Sequence, residues 1–229
     1  MLDHVSDHQP HVPAHEVERH VDRRGRAHAY DTLDSARTAL VVVDLVDFFV
    51  DLGDDRPEAA DLLAVVNTLG AELRPRGGTI AWVTPAVAAA TGWARGFYGD
   101  QVAERYAASG GADEPARRLH RALDVRREDV VVEKSAPSAF FPGRCDLDDR
   151  LRERGVDTVV VCGAVAEVCV ESTVRDAATL GYRTVVVADA LVSVSEETTA
   201  AMLRVVYRSF GDVRSADEVI GLLEPHQGR

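Results

Sequence analysis

Thr38-Ala39-Leu40-Val41-Val42-Val43-Asp44 is the stretch on which the fold turns. A short, mostly β-branched apolar run with nothing polar until its last residue reads as a strand buried on both faces, since a strand with one wet face would alternate. Working outward, TIAWVT at 79–84, VVVEK from Val130, DTVVVCG from Asp157 and RTVVVADA from Arg183 repeat the pattern, and 212–214 reads as a last short strand. Helical stretches separate them. Residues 57–73 carry Ala60, Leu63, Ala64, Leu69 and Leu73 at helical spacing, with a proline near the start and Gly77-Gly78 past the end. Residues 147–154, 168–180 and 195–210 read as further helices, the last opened by Ser-Glu-Glu, and a terminal helix follows. Residues 85–111 mix alanine, glycine and aromatics without a clean period, so they are expected to be irregular and to form a lid or pocket rim.

Buried strands alternating with helices imply an α/β fold of three layers: a doubly wound, Rossmann-like, mostly parallel six-stranded sheet with helices on both faces. At 229 residues one substantial core is expected, giving a domain over 36–229 behind an N-terminal extension over 1–35. The extension lacks a sustained apolar period and holds six of the eight histidines. His4, His8, His11 and His15 would share a face if helical, but unpatterned terminal histidines are more often solvated or at a subunit contact than metal-bound. Neither a signal nor a transit peptide is indicated, so the expected compartment is cytoplasmic. A formal charge of −12 argues against nucleic acid and anionic membrane as partners, leaving a small-molecule substrate. Three cysteines argue against a disulfide framework and leave thiols for chemistry.

In a doubly wound sheet, ligands sit at the carboxyl ends of the strands. Asp44 ends the first strand, Lys134 the third, and Cys169 opens the helix after the fourth, so all three pass this filter. A thiol in a first helical turn near an ammonium has a stabilised thiolate, and a nearby carboxylate takes its proton. Singly, each has a plainer reading: a small core cysteine, a solvated lysine, an aspartate that caps a turn.

The fragments VVVD ending at Asp44, EKSAPSAFF around Lys134 and GAVAEVCVESTVRDA from Gly163 to Ala177 resemble the isochorismatase-like cysteine hydrolases. That superfamily includes nicotinamidases, N-carbamoylsarcosine amidase, ureidoacrylate amidohydrolase and streptothricin hydrolase. The resemblance runs from about Thr38 to Leu223. It implies a catalytic triad of Asp44, Lys134 and Cys169, a cis peptide between Ala164 and Val165, and an oxyanion hole from the Val165 and Cys169 N–H groups. It implies cleavage of a C–N bond in a small amide, ureido, carbamoyl or lactam substrate through a thioester, in a homodimer or homotetramer. An isochorismatase-type vinyl-ether hydrolase and a catalytically silent ligand-binding relative are the alternatives.

Departures from the family pattern are specific. Asp44-Leu45-Val46-Asp47-Phe48-Phe49 stands where the family often reads Asp-x-Gln-x-Asp-Phe, and Ala166-Glu167 replaces a common Thr-Asn pair. Glu167 would bind a cationic substrate group, pair with an arginine or point to solvent, the last two being favoured. The nicotinamidase Asp-x-His motif is missing after the second strand, so neither zinc nor any cofactor is expected. Phe49, Trp93, Phe97, Tyr98, Phe140 and Phe141 are candidate pocket walls, equally readable as core or interface, and Ser138 is a candidate contact to Asp44 or substrate, or a turn residue. Cys162 is expected in the core. Arg175 and Glu171, four apart, are expected to pair. Dinucleotide binding fails because no glycine fingerprint follows the first strand.

Overall fold

The computed structural model describes residues 12–50 and 58–224. Its strands are β1 (Leu33–Asp34), β2 (Thr38–Val43), β3 (Thr79–Pro85), β4 (Val130–Lys134), β5 (Thr158–Ala164), β6 (Arg183–Val192), β7 (Asp212–Arg214) and β8 (Leu223–Glu224). Its helices are α1 (Ala14–Arg24), α2 (Asp47–Val50), α3 (Glu58–Leu73), α4 (Gly92–Tyr98), α5 (Asp100–Ala107), α6 (Pro115–Arg118), α7 (Leu147–Arg152), α8 (Glu171–Thr179), α9 (Glu196–Ser209) and α10 (Ala216–Leu222).

Six strands form one sheet in the order β4-β3-β2-β5-β6-β7, every neighbouring pair parallel. All six residues of β2 are buried, as its unbroken apolar run requires. Alternate residues face opposite layers. Val41, Val43, Val159 and Val161 pack with Leu147 and Leu151 of α7, Val174 of α8 and Leu203 of α9. Leu40, Val42, Val160 and Val185 pack with Leu63, Val66 and Leu69 of α3 and Val219 of α10. Full burial of each such side chain contributes about 1.5–3 kcal/mol, so the two slabs, not helix propensity, hold the layers together.

Two segments depart from the sequence reading. Residues 85–111 are not irregular: they contain α4 and α5, joined at Gly99, which has φ +80°. The N-terminal extension contains α1, which lies against α9, where the Glu16 carboxylate accepts a hydrogen bond from Arg204 Nε at 2.9 Å. β1 also pairs with β8 in a small second sheet. His4, His8 and His11 lie outside the described residues, and His15 is exposed on α1. No described helix is long and apolar enough to cross a membrane.

The topology fixes where chemistry gathers. From β2 the chain moves outward through β3 and β4, then returns to lay β5 on the other side of β2. Two adjacent strands whose connections leave in opposite directions open a crevice at their carboxyl ends. β5 approaches β2 there so closely that a Cβ at Gly163, which has φ +117°, would lie 2.1 Å from the Val43 carbonyl oxygen. Only glycine fits.

Candidate active site

Asp44 follows β2 directly. Its φ is +52°, a conformation that aspartate tolerates better than most residues but that still costs energy. The turn is fixed by its own N–H donating to Val83 O at 2.9 Å and its carbonyl accepting from Val46 N–H at 2.8 Å. Lys134 ends β4, two strands away. Cys169 sits in a wide turn over Ala166–Val170, which has π-helical geometry and runs into α8. These three side chains meet: Lys134 Nζ lies 2.7 Å from Asp44 Oδ2 and 3.4 Å from Cys169 Sγ, and donates to Ala136 O at 3.2 Å. The Ala164–Val165 peptide just before the turn is cis.

Asp44 is fully buried, and Lys134 nearly so. Cys169, at 9 % exposure, is the member of the cluster nearest to solvent. Burial pushes the Asp44 carboxyl above the ordinary carboxylate range, opposed by the Lys134 ammonium. Burial alone would lower Lys134, but the Asp44 carboxylate and the Cys169 sulfur hold it above the usual lysine value. The Cys169 thiol is pushed up to about 12, by burial first and then by Asp44, with Lys134 pulling the other way. The geometry is that of a close aspartate–lysine pair beside a thiol, with Lys134 favouring and burial and Asp44 opposing the thiolate. Neither Asp44 oxygen accepts a well-aligned hydrogen bond among the described residues. Such an under-solvated carboxylate is a strong proton acceptor.

The remaining candidates are dispersed. Phe49 is buried, and Phe140 packs in the core with its ring 5.2 Å from Tyr182. Trp93 and Phe97 are 67 % and 69 % exposed and stack on each other on α4, with Tyr98 set edge-on to both. Phe141 is exposed as well. Ser138 takes the turn role, its Oγ accepting from Phe140 N–H at 3.0 Å. Among the described residues Glu167 pairs with no arginine; it is half-buried, and the 193–198 turn takes its carboxylate. Cys162 is buried in β5, where burial pushes its thiol well up, and Arg175 pairs with Glu171.

Sequence reasoning passed over Thr173. One turn beyond Cys169, its Oγ1 accepts from Ala139 N–H at 3.1 Å and ties the loop after Lys134 to the helix that follows Cys169. A threonine inside an amphipathic helix carries no local sign of a partner 34 residues away. No group of three or more His, Cys, Asp and Glu side chains among the described residues is arranged to hold a metal ion.

A parallel sheet with its reactive cluster at the switch point between β2 and β5 defines an α/β enzyme scaffold of the doubly wound class. The isochorismatase domain model matches residues 38–218, and the chain belongs to the isochorismatase family of hydrolases. An uncharacterised isochorismatase family protein of Bacillus subtilis, YwoC, is 30% identical over 195 residues, covering 82% of this chain and 95% of YwoC. Ureidoacrylate amidohydrolase RutB of Pseudomonas syringae is 29% identical over 218 residues, covering 82% of this chain and 84% of RutB. A cysteine hydrolase structure from Pseudomonas syringae pv. phaseolicola superposes with a TM-score of 0.71 at 27% identity, covering 85% of this chain and 95% of that one.

Proposed function

We propose that this protein is an amidohydrolase with Cys169 as nucleophile, cleaving a C–N bond of a small amide, ureido, carbamoyl or lactam substrate. The observation that carries the reading is the single lysine nitrogen within 2.7 Å of the Asp44 carboxylate and 3.4 Å of the Cys169 sulfur. Similarity to a ureidoacrylate amidohydrolase and to a cysteine hydrolase supports it.

In the proposed cycle Asp44 removes the thiol proton as sulfur attacks the substrate carbonyl carbon, and the Lys134 ammonium offsets the developing negative charge on sulfur. The Val165 and Cys169 N–H groups receive the oxyanion. Collapse breaks the C–N bond, and the proton held by Asp44 passes to the leaving nitrogen. Asp44 then deprotonates water, which attacks the thioester carbonyl and releases the acid, and the proton returns to sulfur. The raised proton affinity of Asp44 suits it to both transfers, since a base works best with a pKa near the working pH.

The test is an ammonia- and amine-release screen over carbamoyl, ureido, lactam and primary-amide compounds, run beside Cys169→Ser. Loss of at least about 10³-fold in turnover is expected for the variant, as for removal of a nucleophile that acts within a unit. Equal turnover by both proteins would remove the thiol from the mechanism.

A further inference from the structure

Glu167 stands two residues before the proposed nucleophile, where a carboxylate aimed at the sulfur would hinder thiolate formation. Its oxygens are turned elsewhere. Oε1 accepts from the Val194 N–H at 3.1 Å, Thr198 Oγ1 lies 3.2 Å from the same oxygen, and Ser193 Oγ lies 3.0 Å from Oε2. Each hydroxyl has one proton and also lies 2.9 Å from the Ser195 carbonyl, so the Val194 N–H is the one undivided donor of the three.

These partners belong to the turn that leaves β6 and starts α9. Ser195 caps that helix by accepting from Thr198 N–H at 3.2 Å. A carboxylate held by such a turn faces the positive end of a helix of 14 residues, a favourable place for negative charge. The residues of the turn that carries Cys169 are thus fixed from two sides. Thr173 ties its downstream end to the loop after Lys134, and Glu167 ties its upstream end to α9.

We propose that Glu167 is a positioning residue: it braces the Ala166–Val170 turn against the start of α9 and so sets the direction of the Cys169 sulfur and of the N–H groups beside it. The inference rests on the reading of Cys169 as nucleophile. It assigns the acid to the scaffold, not to a substrate cation, and it makes the 193–198 turn part of what aligns the reaction. Because the role is geometric, an amide that accepts the same Val194 hydrogen bond must serve in place of the acid.

The experiment uses the full chain with Glu167→Ala, Glu167→Gln, the pair Ser193→Ala/Thr198→Val, and Cys169→Ser as control. Two readouts are taken: the pH profile of Cys169 carbamidomethylation by iodoacetamide, followed by peptide mass, and kcat and KM on a compound hydrolysed in the screen. Thermal melts report whether each variant is folded. Glu167→Ala is expected to slow alkylation and lower kcat by about tenfold to a hundredfold, the range for an ångström-scale misplacement, while KM moves far less. Glu167→Gln recovers most of that loss. Ser193→Ala/Thr198→Val shows a smaller loss than Glu167→Ala, because the Val194 N–H still holds the carboxylate. Should Glu167→Ala fail to fold, the Gln and hydroxyl variants carry the comparison. A Glu167→Ala protein with the parent's alkylation profile and kcat overturns the brace, as does a Gln variant no better than Ala, which would make charge the operative property. Full activity in Cys169→Ser overturns the reading of Cys169 as nucleophile instead, so the two failures are distinguishable.

Discussion

Asp44 and Asp212 are both buried carboxylates at strand ends, 0% and 1% exposed, yet their surroundings are opposite. Asp212 begins β7 and is held by backbone: Oδ1 accepts from Ala29 N–H at 2.6 Å and Oδ2 from Tyr30 N–H at 3.1 Å. Arg24, His28 and Arg214 surround it at 3.8, 3.9 and 3.7 Å. Its charge is spread over several donors, and the result is mechanical: the N-terminal arm is pinned to the sheet. Among the described residues Asp44 has no backbone N–H on its carboxylate, and its neighbours are one ammonium and a thiol. Burial of an acid therefore does not distinguish the group proposed as a base from a structural one. What distinguishes them is whether the charge is already satisfied by groups that cannot move a proton.

The sharpest break in that comparison comes from removing one half of the Asp44–Lys134 pair. Asp44→Asn or Lys134→Met leaves a buried, uncompensated charge, and a stability loss of about 3–5 kcal/mol is expected in urea denaturation. The double variant removes both charges and should regain most of that stability, while amide hydrolysis stays at least about 10³-fold down in all three. A single variant as stable as the parent would mean that the pair is not charged at rest. Asp212→Asn should do the reverse on a smaller scale. Loss of the charged acceptor is expected to cost about 1.5–3 kcal/mol while turnover per folded molecule is unchanged. Reduced turnover in folded Asp212→Asn would erase the distinction between the two acids.

How much of this was legible in the sequence follows from what each segment buries. The central strands β2 and β5 announce themselves because both of their faces are apolar, and the positions of Asp44 and Lys134 at strand ends and of Cys169 in the turn after β5 follow from the strand pattern. The N-terminal helix does not announce itself, since the α1 residues that it buries are Glu16 and His20, so its hidden face is polar. The α4 and α5 pair fails for the converse reason. Its large aromatics, Trp93 and Phe97 among them, are exposed, so no apolar stripe points at the core. The contacts of Glu167 and Thr173 join residues 26 to 34 positions apart across loops, and no local pattern encodes them.

The smallest effect separates the two regions by pH. His20 is buried on α1 with its ring edge-on to Tyr207 at 4.9 Å, and its Nε2 has no hydrogen-bond partner among the described residues. His28 meets the same tyrosine at 6.1 Å. Burial lowers both histidines, His20 further through Arg24 and Arg23 against Glu16, His28 further through Arg214 against Asp212. In the folded protein they are neutral near pH about 6.5, where the unfolded chain begins to take up protons. Below that point the unfolded state binds more protons than the folded one, so stability falls as pH drops and levels off only below the depressed folded values. Glu16 acts later: its hydrogen bond from Arg204 holds it below the usual glutamate range, so its contribution is present above the ordinary glutamate value and is lost as pH falls further. Thermal melts of the parent should therefore decline as pH is lowered through about 6.5, and His20→Phe should flatten part of that slope. Asp44 runs the opposite way: burial raises its carboxyl, so as pH falls the folded state takes up that proton before the unfolded chain does, and the contribution of this group grows where that of the histidines fades. A parent melt that is level from neutral pH down to the glutamate range would show that His20 and His28 are already solvated and take no part in holding the arm.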